Sequence, residues 1–195
     1  MQGDGLPQLR MRLASLDCLP PVVLPVGYHL RRFGRGDEQA WIEVLNGSQA
    51  LGEWDLEKAR RSFTGERARV VPEGIHLVFD GSQPVATACL TEHDDFEEAE
   101  LGWVAVSPEH RGKGLGFQVC LATLHYMRHR AYGAAVLFTD DHRLPALKTY
   151  LRLGFRPWLT HESHAERWQR VLARLGISRL DCACSQGGGR RTEGL

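Results

Sequence analysis

The tightest constraint in this chain is the join between Leu101-Gly-Trp-Val-Ala-Val106 and Ser107-Pro-Glu-His-Arg-Gly-Lys-Gly-Leu-Gly-Phe117. The first run is apolar and reads as a strand. Beyond the glycines, Phe117, Cys120, Leu121, Leu124, Met127 and Ala131 recur at three- and four-residue steps. That spacing gives one apolar face to a helix of about 16 residues. Glycines at a helix N-terminus let a ligand reach the backbone N–H groups, where the helix dipole favours an anion. The join therefore predicts a strand–loop–helix unit with a site for a phosphate.

The flanking pattern extends the unit to a domain. Val26 to Phe33 reads as a first strand, and Asp37 stands as N-cap before Trp41, Ile42 and Leu45, with Gly47 as stop. A short helix capped by Asp55 follows. Gly74–Gly81 and Gln83–Leu90 are strand-like runs joined at Asp80-Gly81, a hairpin signal. After the long helix, Gly133 is a stop and Ala134–Phe138 is a wholly apolar strand of the kind buried in parallel pairing. Asp141 or His142 then opens a helix with Pro145 in its first turn and a stop at Gly154; a last helix spans His164 to Leu175. The order of elements means an α/β fold with a mixed sheet. Residues 1–24 lack periodicity and read as an extended or loose arm. Residues 25–180 read as the folded domain, and 181–195, rich in glycine, as a disordered tail.

Bulk properties narrow the function classes. The 195 residues suit one domain, and the formal net charge of zero removes a general electrostatic argument for nucleic acid or membrane binding. No apolar run approaches the ~18 residues of a membrane span, and no basic-plus-apolar leader is evident, so a cytoplasmic location is expected. The five cysteines (Cys18, Cys89, Cys120, Cys182 and Cys184) lack zinc-ligand spacing and read as free thiols in a reducing compartment; no metal site is expected.

Three phosphate loops can be weighed on the glycines. A P-loop needs Ser or Thr after its lysine, and Lys113 is followed by Gly114. A dinucleotide fingerprint needs Gly-x-Gly-x-x-Gly directly after its strand. Here the spacing is Gly-x-Gly-x-Gly, and Ser107 to Arg111 intervene. The third reading uses every residue: Arg111-x-x-Gly114-x-Gly116 after an apolar strand and Ser-Pro resembles the acyl-CoA pyrophosphate loop of the GCN5-related N-acetyltransferases (GNAT). Ala146-Leu-Lys-Thr-Tyr-Leu-Arg-Leu-Gly-Phe155 resembles a second signature of that family, and Ala99–Val106 resembles its fourth strand. Tyr28–Phe33 with Asp37 is similar to its first strand and helix.

The resemblance implies a single-domain GNAT-like fold: a mixed, mostly antiparallel sheet of about six strands, flanked by helices and splayed between its fourth and fifth strands. Here those are 101–106 and 134–138. It implies acetyl-CoA as acyl donor, with the pantetheine arm along Val104, Ala105 and Val106 and the pyrophosphate on Arg111, Gly112, Lys113, Gly114, Leu115 and Gly116. Arg143 stands where many relatives carry a cofactor-contacting asparagine, and could reach a CoA phosphate or face solvent. Tyr150 falls on the position of the general acid that protonates the leaving thiolate; a core tyrosine is the bland alternative. Glu100 resembles the base of the histone-acetylating members, though it also ends an acidic run, Glu92–Glu100, of the type that is usually a solvated face. The function implied is direct N-acetyl transfer to an amine, with a catalytically idle acyl-CoA-binding module as the alternative. The acceptor (polyamine, amino acid, aminoglycoside, peptide N-terminus or lysine) and a homodimeric state are left open. After Trp158 no seventh strand is legible, which removes the family's usual final hairpin.

Overall fold

In the computed structural model, which describes residues 6–64, 69–93 and 98–177, one seven-stranded sheet organises the chain. The strands are β1 (Leu9–Leu13), β2 (Tyr28–Arg32), β3 (Val70–Asp80), β4 (Gln83–Thr91), β5 (Ala99–Val106), β6 (Ala135–Thr139) and β7 (Arg156–Trp158). Their order across the sheet is β2-β3-β4-β5-β6-β1-β7, and every pairing is antiparallel except β5 with β6. The helices are α1 (Glu38–Gly47), α2 (Leu56–Phe63), α3 (Leu115–His129), α4 (Leu144–Arg152) and α5 (His164–Leu175).

Strand alternation sorts two cores onto the two faces. Ile75, Leu77 and Phe79 of β3 join Trp41, Leu45 and Trp54 under α1 and α2. Val78 and, from β4, Ala86, Ala88 and Leu90 join Leu121, Leu124 and Met127 of α3 on the other face. The mixed α/β sheet and the helix faces agree with the sequence pattern. Asp55 caps α2 through the Lys58 N–H at 2.7 Å. Asp37 does otherwise: its carboxylate takes the Arg31 guanidinium and the Gly34 N–H, and makes no cap bond. Helix α4 starts at Leu144, after Arg143, rather than at Asp141 or His142.

The N-terminal segment corrects the sequence reading. Leu9–Leu13 is strand β1, inserted between β6 and β7, with Leu9 and Met11 fully buried. Burying two such side chains contributes about 1.5–3 kcal/mol each, enough to order a segment with no periodicity of its own. Downstream, the chain lies along α3: Val23 N–H donates to Gln118 Oε1 at 2.8 Å and Leu16 N–H to the Gly133 carbonyl at 3.0 Å. The folded unit therefore includes residues well before 25, and the sheet has seven strands, not about six. The missing final hairpin is explained too. β7 exists, is three residues long, and pairs with β1 instead of a later strand. Helix α5 clamps the arrangement, for Arg167 binds Asp141 through Nε at 3.0 Å and the Pro7 carbonyl through Nη1 at 2.7 Å. Cys182, Cys184 and the expected tail lie outside the described residues, as does 94–97 of the acidic run.

Candidate active site

Strands β5 and β6 meet only at their beginnings, Ala99 opposite Ala135 and Glu100 opposite Val136. Beyond that rung they pair no further, so one edge of β5 from Leu101 to Val106 faces a gap. This is the expected splay. Glu100 stands on its last closed rung and the glycine loop follows its open end. The carbonyls of Val104 and Val106, two residues apart and so on one edge, are each met by an arginine. Arg143 Nη2 donates to Val104 O at 3.2 Å and Arg111 Nε to Val106 O at 3.3 Å. Ala105, between them, is buried. The edge thus presents polar backbone groups that arginine side chains satisfy in place of a strand.

The loop has the conformation an anion cradle needs. A short 3-10 turn, Pro108–His110, leads to Gly112 at φ +78° and Gly114 at φ +81°, left-handed values that side chains resist. A Cβ at either glycine would meet nothing within 4 Å, so the space before the helix is open. Gly116 packs nearer, with its Cβ position 3.4 Å from Val106. Leu115 starts α3 with its side chain buried; the Phe117 and Gln118 N–H groups donate to the Gly114 carbonyl at 3.1 and 3.2 Å, while those of Leu115 and Gly116 ahead of them have no intrahelical acceptor. The two loop cations are tethered to protein acceptors. Arg111 also donates to Ser48 O at 2.9 Å, bracing the loop on α1, and Lys113 Nζ reaches Tyr28 Oη at 2.9 Å. Tyr28 in turn bonds His110 Nδ1 at 2.9 Å.

Tyr150 lies on α4 two turns after Arg143, on nearly the same helix face, and is 3% exposed. Its hydroxyl makes no hydrogen bond to a described residue. Burial pushes its pKa well above the ordinary value; Cys120 and Glu100 add to the rise, and Arg143 opposes it. Cys89 and Cys120 are fully buried and their thiols are pushed up by burial, so neither is a nucleophile. Glu100 is mostly buried rather than a solvated end of the acidic run.

Arg69, Thr91, His93 and Trp103, to which the sequence reading gave no site role, stand beside Glu100. A cavity of about 250 Å³ beside Glu100 is lined by Ser62, Arg69, Thr91, His93, Glu100 and Trp103. His93 Nε2 contacts Glu100 Oε2, and His93 Nδ1 contacts Arg69 Nη1. Thr91 pairs with Glu100 across β4 and β5. That register is the signal that could have found His93, two residues further along. Trp103 takes φ +50° next to the register shift between β4 and β5 and packs edge-on to Trp54 at 4.6 Å. A larger concavity of about 550 Å³, bordered by the Arg12–Glu98 ion pair and Tyr132, lies at the closed end of the splay, away from the loop. Among the described residues no group of three or more His, Cys, Asp or Glu could hold a metal, and no helix is long and apolar enough to cross a membrane.

Comparison with known proteins converges on the same reading. The family model described as the acetyltransferase (GNAT) family matches residues 39–155. The mycothiol acetyltransferase of Pseudarthrobacter chlorophenolicus is 33% identical over 159 residues, 77% of this chain and 49% of that protein. That of Rhodococcus jostii is 33% identical over 170 residues, 81% of this chain and 55% of its own length. The chain thus spans about half the length of these relatives. Among solved structures, a GCN5-related N-acetyltransferase from Sphaerobacter thermophilus superposes with a TM-score of 0.65 at 24% identity, over 78% of this chain and 50% of that one. The ribosomal-protein-S18-alanine N-acetyltransferase from Escherichia coli gives 0.53 at 22%, over 65% and 76%.

Proposed function

Because the chain belongs to the GNAT acetyltransferase family, we propose that it is an acyltransferase that moves an acetyl group from acetyl-CoA directly to a primary amine. The observation that supports this is the splay of β5 from β6, with Glu100 on its last closed rung and its open end running into the glycine loop. The residues fit the donor. Gly112 and Gly114 leave open space before the α3 N-terminus for a pyrophosphate, and the unpaired edge of β5 at Val104–Val106 suits the amides of pantetheine.

Glu100 takes the proton of the incoming ammonium. The freed nitrogen bonds the thioester carbon, the carbon–sulfur bond breaks, and Tyr150 gives its proton to the departing thiolate; the second proton leaving the nitrogen passes through solvent and restores the Tyr150 hydroxyl. In this reading a backbone N–H near Val104 bonds the oxyanion between these steps. Tyr150 stays protonated through the working range because burial holds its pKa high. Among the described residues the cysteines are Cys18, on the segment between β1 and β2, and the buried Cys89 and Cys120, which favours direct transfer over an acyl-enzyme. The relatives' name recommends the deacetylated form of mycothiol as one acceptor to try.

Thermal-shift titration with acetyl-CoA, with NADH as control, tests the donor. Thiol release over a panel of primary amines tests transfer. Stabilisation by acetyl-CoA without thiol release from any amine would leave a binding module and end the catalytic reading.

A further inference from the structure

Glu100 is gripped on one oxygen. Its Oε2 meets Nε2 of His93, whose other nitrogen, Nδ1, meets Nη1 of Arg69. A guanidinium carries only donors and keeps its charge. Nδ1 of His93 must therefore accept, since a proton there would set donor against donor. The ring's proton is left on Nε2, where it donates to the Glu100 carboxylate. The backbone builds this order of residues: Glu92 N–H donates to Arg69 O at 2.8 Å, and Thr91 pairs with Val70 on one side and Glu100 on the other.

All three side chains line the cavity beside Trp103. There Thr91 Oγ1 is buried and has no hydrogen-bond partner among the described residues. Glu100 Oε1 accepts no hydrogen bond from a described residue and lies 3.5 Å from the Cβ position of Gly102. The cavity thus offers a free carboxylate oxygen and an unused hydroxyl within a volume of about 250 Å³. A primary ammonium on a chain of side-chain size suits both.

We propose that Arg69 and His93 are positioning residues for the acceptor half-site: Arg69 locks His93 in its Nε2–H tautomer, and His93 holds Glu100 with Oε1 turned to an ammonium in this cavity. This rests on Glu100 being the base. Neither residue touches the acyl donor. Removing them affects turnover of amine and leaves acetyl-CoA affinity alone.

Long-range proton–nitrogen spectra of the imidazoles, with the His93 signals identified by their loss in His93→Gln, test the lock without any acceptor. The expected result is a neutral Nε2–H ring in the parent protein and a mixture of tautomers in Arg69→Met. A ring protonated on Nδ1 in the parent protein overturns the proposal. Kinetics with 1,4-diaminobutane as probe amine test the role. His93→Ala lowers kcat about tenfold or more, less than the roughly 10²-fold to 10⁴-fold loss on removing a general base. His93→Gln, which restores an N–H donor, recovers most of it. In a Glu100→Gln background His93→Ala costs nothing further. Equal losses in both backgrounds overturn the positioning role. Full turnover in Glu100→Gln overturns the base assignment, and the two failures are distinct because that result leaves the parent His93 spectrum unchanged.

Discussion

The Arg143 guanidinium reaches across the splay and donates Nη2 to the Val104 carbonyl at 3.2 Å. Arg143 thereby holds a backbone acceptor that a pantetheine amide is proposed to need. Arg143→Ala removes the competitor, and a net hydrogen bond of about 1 kcal/mol corresponds to a gain of about threefold to tenfold in acetyl-CoA affinity. Isothermal titration checks it. Weaker binding would place the guanidinium on the donor itself.

At Gly114 the φ of +81° and the open space beyond its Cβ position separate two effects of substitution. Gly114→Ala carries a backbone cost of about 1–2 kcal/mol and leaves the cradle neutral. Gly114→Asp adds a negative charge where the pyrophosphate is expected. The aspartate variant therefore loses the thermal shift with acetyl-CoA while both variants keep the parent circular dichroism. An undiminished shift in Gly114→Asp would remove the loop from donor binding.

Tyr150→Phe keeps the buried ring and deletes the proton. Acetyl-CoA affinity stays within about twofold, and kcat falls about 10²-fold. Since burial raises the Tyr150 pKa above its ordinary value near 10, the parent enzyme shows no activity loss from its ionisation below pH 10. Stopped-flow thiol release across pH checks both statements.

His76 gives the fold an acid-sensitive element. It is buried, its Nδ1 lies 3.1 Å from Thr123 Oγ1, and burial lowers its pKa from 6.5 to about 4. Between those values the unfolded chain binds the proton more readily than the native one, so stability falls as pH drops from about 6.5 towards 4. At the bottom of this window the loss approaches about 3 kcal/mol. Urea midpoints of His76→Gln should lack that part of the slope, whatever their offset.

The N-terminal strand is the most consequential element for stability. Leu9→Ala opens a cavity in a fully buried position between β6 and β7 and should cost about 2–5 kcal/mol in urea denaturation. Removing residues 1–14 strips β1 from between β6 and β7 and should abolish cooperative unfolding. A stable, cooperative truncated protein would return the segment to the status of an arm.

What the sequence determined by itself is local. Apolar spacing placed α3 and α5, apolar runs placed β3 to β6, and glycines after a strand marked the anion loop. These signals reside in residues a few positions apart, where backbone sterics and one buried face decide the outcome. Tyr150 and Glu100 are candidates through the family resemblance, each standing at a set distance from such a signal.

Tertiary structure decided the rest. β1 carries Leu9, Met11 and Leu13 at alternate positions among arginines, too short a run to stand out, and only the gap between β6 and β7 makes it a strand. Arg69 stands 24 residues before His93, and the two become neighbours, with Glu100, through the β3–β4–β5 register. Arg111 and Arg143 carry charge in any reading. Their engagement of two β5 carbonyls follows from the splay, which leaves those acceptors without a strand.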